Sequence, residues 1–123
     1  MKKSILLIEK EENELDFFTE ALEESKVSFL CRIAKNREQA TSILKNMAPD
    51  IIFIDLNTAG NDVNEFLRHI NCIHRAPVIL YSTLPGKIIN KAIPEEISGC
   101  FQLPGNVQTM AFMLQGILDT KRH

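Results

Sequence analysis

Residues 49–62 read PDIIFIDLNTAGND. Ile51, Ile52, Phe53 and Ile54 run without a polar break and stop at Asp55. A short, unbroken run rich in β-branched residues is what a parallel strand buried on both faces requires. Beyond it, Gly60 supplies a turn conformation. Asp62, with Glu65 three residues on, reads as a capping box that opens a helix, so its carboxylate is a cap rather than a ligand. A buried strand therefore hands over to a helix through a loop that begins with an acid.

The same pattern repeats on both sides. Strand-like runs cover 4–8, 28–34, 78–82 and 100–103. Between them lie stripes of helical period: Leu15, Phe18 and Leu22; Ala40, Ile43, Leu44 and Met47; Val63, Phe66, Leu67 and Ile70; Val107, Met110, Ala111, Leu114, Ile117 and Leu118. Asn36 and Gln39 form a second capping box. A weaker helix is expected over 87–92, bounded by Pro85 and Pro94. Alternating β and α units predict an α/β domain: a doubly wound, five-stranded parallel sheet of flavodoxin-like order 2-1-3-4-5, with helices on both faces. With no linker, repeat or low-complexity tract, residues 1–123 read as a single domain.

Bulk properties narrow the function classes. The chain has 123 residues, 45% of them hydrophobic, enough for a sizeable core. With 14 basic and 16 acidic side chains the net charge is -2, so neither nucleic acid nor a membrane surface is an expected partner. No apolar run is long enough to cross a bilayer. The start, MKKSILLIEK, has too short an apolar stretch for a signal peptide and no small-residue cleavage site. Cys31, Cys72 and Cys100 are odd in number and far apart, which suggests neither a disulfide framework nor a zinc site. A cytoplasmic protein is expected.

In doubly wound folds the crevice lies at the carboxyl ends of the strands. There stand Glu9 and Lys10, then Asp55 to Asn57, then Ser82 and Thr83, then Leu103 and Pro104. The first loop holds no glycine, which excludes a dinucleotide fingerprint, and no Walker loop is present. Its acids, in EKEEN, would repel the phosphate of a flavin nucleotide. With strands 1 and 3 adjacent at roughly 4.8 Å, Glu9 and Asp55 come within reach of one small hard cation. Mg2+ prefers such oxygen donors and joins a carboxylate to a phosphate. A carboxylate beside it can accept a phosphoryl group.

Four stretches then carry a family resemblance: ILLIEKEENELDFFTEAL, PDIIFIDLNTAGND, APVILYST and SGCFQLPG. Their order and spacing resemble the response-regulator receiver domain (CheY-like) of bacterial two-component signalling, over essentially the whole chain. The resemblance implies Asp55 as phosphoacceptor and Mg2+ ligand, Asn57 as a ligand through its carbonyl, and Glu9 as a ligand directly or through water. It places Ser82, followed by Thr83, at the switch hydroxyl that bonds a phosphoryl oxygen. It sets Cys100, with Phe101 beside it, at the switch aromatic. It further implies a sensor histidine kinase or histidine phosphotransfer protein as donor, and a downstream protein partner. That partner would meet a face built from the 87–92 helix, the fifth strand and the last helix, where Phe112 stands opposite the apolar stripe. The expected protein is a stand-alone receiver without an output domain, a monomer or weak homodimer. It is no enzyme beyond its own phosphorylation.

Some positions depart from the family pattern. Lys10 replaces the second acid, and Leu103 replaces a lysine that pairs with the phosphoryl group. Thr58 and Ala59 stand for Leu-Pro, and Val63 for Gly. Glu9 and Asp55 against Lys10 give a site charge of -1 (two negative, one positive), where the family has -2. A unit charge at 4 Å is worth about 4 kcal/mol at an effective dielectric near 20, so Mg2+ binding is expected to be weak. Lys10 has two open placements: its ammonium pairs with Asp55, or it snorkels to solvent beside Glu11. With its site partners replaced, the chain is alternatively a degenerate receiver that binds a partner without phosphorylation. His69 and His74, five apart, share no helix face and make no joint metal site.

Overall fold

Hydrophobic period and turn chemistry convert into ten elements among the described residues. They are β1 (Lys3–Ile8), α1 (Glu12–Glu24), β2 (Phe29–Ala34), α2 (Arg37–Leu44), β3 (Ile51–Asp55), α3 (Leu56–Ala59), α4 (Val63–Ile73), β4 (Val78–Ser82), β5 (Gly99–Gln102) and α5 (Val107–Leu118). The computed structural model describes residues 2–60, 62–83 and 98–119. The helix expected over 87–92 lies outside them.

Among the described residues all strand pairs are parallel, as the alternation predicts, and the order is β2-β1-β3-β4-β5, the flavodoxin-like order expected. β3 is central and buried along its whole length, which is why its sequence does not alternate. Successive side chains of the sheet feed two cores. Leu6, Ile8, Ile52, Ile54 and Leu80 pack with Ala40, Leu44, Phe66, Leu67 and Ile70 of α2 and α4. Ile5, Leu7, Phe53 and Tyr81 pack with Leu15, Phe18, Leu22, Met110 and Leu114 of α1 and α5. Aromatic edges join within the second core, with Phe18 and Phe53 ring centres 5.1 Å apart.

Two details differ from expectation. Asp62 caps α4, accepting from the Glu65 amide at 3.0 Å, but the Glu65 carboxylate does not turn back. It pairs with Arg37 of α2 at 3.0 Å, a charge-assisted bond made by a guanidinium that lies over the Phe66 ring. Asn36 accepts from Gln39 N, whereas the Gln39 side chain bonds the Lys35 amide instead of Asn36. Gly60 takes φ +88° as its turn requires.

Candidate functional site

The register brings the strand ends together. Ile8 pairs with Ile54, so the next residues, Glu9 and Asp55, fall side by side. Asp55 pairs with Tyr81, and Tyr81 with Phe101. One row therefore crosses four strands: Glu9, Asp55, Tyr81, Phe101.

Glu9 and Tyr81 are both 0% exposed. The Tyr81 hydroxyl donates to Glu9 Oε1 at 2.6 Å, reaching past the intervening strand β3. Glu9 Oε2 accepts from the Glu11 amide at 3.0 Å, the N-cap residue of α1, where a helix start favours an anion. Burial pushes the Glu9 carboxyl up to about 7. The bonds from Tyr81 and Glu11 oppose that rise, and the charges of Asp55 and Glu14 reinforce it. Burial also raises the Tyr81 phenol far above its ordinary value, with the Glu9 charge adding to it. The phenol is thus a lasting donor.

Asp55 is 4% exposed. Its Oδ2 accepts from the Thr58 amide at 3.0 Å and the Thr58 hydroxyl at 2.7 Å, capping α3. Thr58 Oγ1 in turn accepts from the Lys10 amide at 3.1 Å. The backbone of Lys10 is tied to the Asp55 loop in this way, while its side chain is exposed. Among the described residues its ammonium makes no ion pair with Asp55. The solvent placement of Lys10 is the one found.

The remaining candidates divide. Ser82 is buried at the end of β4, Thr83 exposed just beyond, and Asn57 exposed on α3. Cys100 packs against the α2 and α4 core, while Phe101 packs against the other core and stacks on Tyr81 at 5.7 Å and 15°. Neighbours in sequence, they serve opposite faces, and only Phe101 joins the row. Leu103 is partly buried in the α1 and α5 core, and its amide donates to Ser82 O at 2.8 Å. Phe112 is 79% exposed.

No protein-family model matches the chain, and no curated protein does. Solved structures do. A response regulator from Thermotoga maritima aligns with TM-score 0.78 and 16% identity over 98% of this chain and 100% of that one. The phosphorylated cyanobacterial phytochrome response regulator RcpA aligns with TM-score 0.72 and 23% identity, over 99% and 98%. The Mn2+-bound form of response regulator Rcp1 aligns with TM-score 0.70 and 23% identity, over 96% and 93%. The chain has the receiver fold. The strand order read from the sequence is the one this fold uses.

As arranged, Glu9 of this receiver fold is wholly buried and does not share a divalent cation with Asp55. Both Glu9 oxygens already accept hydrogen bonds, and Asp55 Oδ2 accepts two. Among the described residues no group of three or more His, Cys, Asp or Glu side chains is placed to hold a metal ion. His69 and His74 bond apart, to Thr41 and to the Pro49 carbonyl.

Tyr81 is the site residue that sequence reading missed. It sits in VILYS as one more apolar strand residue. Its signal is present: it is the chain's single tyrosine, one position before the expected switch hydroxyl. A buried phenol also needs an acceptor.

Proposed function

We propose that the chain is a receiver of two-component signalling that accepts a phosphoryl group on Asp55 and signals through a protein-binding face. One observation supports this most. Asp55 ends the central strand nearly buried, its Oδ1 has no hydrogen bond among the described residues, and Ser82 ends the adjacent strand. A carboxylate oxygen so held is oriented to attack phosphorus. The P–N bond of a phosphohistidine donor breaks with its electron pair passing to that ring nitrogen, an acyl phosphate forms on Asp55, and the ring, already protonated on its other nitrogen, leaves as neutral imidazole. The likeness to a phosphorylated and to a Mn2+-bound receiver supports the same chemistry. The donor is a sensor histidine kinase or a histidine phosphotransfer protein. Mg2+ is the expected ion; Asp55 would hold it weakly, because Glu9 is bonded to Tyr81. The chain acts on no separate substrate, and its downstream partner is a protein that meets α5 around Phe112.

The test is backbone NMR with Mg2+ and beryllofluoride or a small phosphodonor. Amides around Asp55 and Ser82 shift in the native chain and stay still in Asp55→Asn. Static resonances at millimolar reagent, beside a responding control receiver, overturn the reading.

A second reading, partner binding without phosphorylation, is favoured by the Glu9 bond to Tyr81 and by apolar Leu103 in the lysine position. It predicts partner capture that Asp55→Asn leaves unchanged.

A further inference from the structure

We infer that Tyr81 is a positioning residue that withholds Glu9 from divalent cations, its hydroxyl standing where an ion would otherwise satisfy the acid. This rests on reading the Glu9 and Asp55 crevice as the signalling site, and it concerns how that site is held shut.

The geometry carries it. A carboxylate that is to ligate a hard cation must offer a free oxygen lone pair in a suitable direction. Glu9 exposes no surface to the solvent from which an ion would come. One oxygen is bonded at 2.6 Å by a phenol from β4, the other by the amide of Glu11, the N-cap of α1. Both partners are fixed. The Tyr81 ring is wholly buried, stacked on Phe101 and tilted against Phe18 at 5.4 Å. The Glu11 amide belongs to the helix start. Opening Glu9 toward an ion therefore leaves a buried phenol without an acceptor, which costs as much as losing a hydrogen bond to a charged group. Neither a metal nor Lys10 is needed to complete the pocket. Among the described residues every buried side-chain nitrogen and oxygen already has a partner.

Calorimetric titration with Mn2+ tests this on the full chain. Tyr81→Phe keeps the ring packing and removes the donor. It binds Mn2+ about tenfold tighter than the native protein. The double variant Tyr81→Phe, Glu9→Gln loses that gain. Glu9→Gln alone keeps an acceptor for the phenol, folds, and binds Mn2+ as the native chain does.

A folded Tyr81→Phe with native Mn2+ affinity overturns the inference. So does a Glu9→Gln protein that binds Mn2+ more weakly than native, because Glu9 would then already be a ligand. Should Tyr81→Phe fail to fold, the Glu9→Gln titration decides alone. The readout is also separate from phosphorylation. Resonances unmoved by beryllofluoride remove the acceptor role of Asp55 and leave the Mn2+ comparison standing.

Discussion

At Glu9 a carboxylate has no contact with water and takes two hydrogen bonds in exchange. Its folded-state value of about 7 lies above the ordinary 4.5. The folded state thus holds this proton more tightly than the unfolded chain. The group's contribution to stability is fully present below about pH 4.5 and is lost as pH rises through about 7. Glu9→Gln removes that slope. Thermal unfolding of both proteins between pH 4 and 8 is expected to show melting temperatures that diverge, with the native chain losing ground as pH rises. Parallel curves would mean that Glu9 is not buried in this way. Residues at this scale were legible in part. Glu9 and Asp55 can be read from where apolar runs stop. The Glu9 partner cannot, because Tyr81 is 72 positions away and its strand passes β3 first. The placement of Lys10 was also open, since a flexible stem is fixed only by surroundings that the sequence does not display.

Helix ends carry their own predictions. Asn106 accepts from the Thr109 amide at 2.8 Å and caps α5. Asn106→Ala is expected to cost about 1 kcal/mol in urea unfolding. At the other end of α1, Lys26 takes φ +64°, a conformation that favours glycine. Lys26→Gly is expected to stabilise by up to about 1 kcal/mol, as released strain outweighs the added chain entropy. A destabilised variant would show that the lysine side chain holds the turn. Elements are the most legible scale here. Strands and first turns follow from local rules, so the sheet and the caps at Asn36 and Asp62 were expected in place. The reciprocal halves of the two capping boxes failed. Arg37 and Lys35 offered Glu65 and Gln39 partners that local pattern does not contain.

For the whole molecule, both cores lean on β3. Phe53→Ala empties the centre of the α1 and α5 core, where Phe53 is wholly buried. It is expected to cost about 3–5 kcal/mol in denaturant unfolding, against about 0.5 kcal/mol or less for exposed Phe112→Ala. The fold class was legible from β and α alternation alone, since few topologies obey right-handed crossovers. The closed state of the acid crevice was not, because it depends on four strands meeting at once. The bond from Tyr81 to Glu9 joins positions 72 apart, so it closes a long loop at an entropy cost. In a chain cut before residue 81 that donor is missing altogether. Glu9 and Asp55 then stand as two acids with no phenol between them and the ions of the medium, so truncation is expected to change the crevice's chemistry as well as its stability.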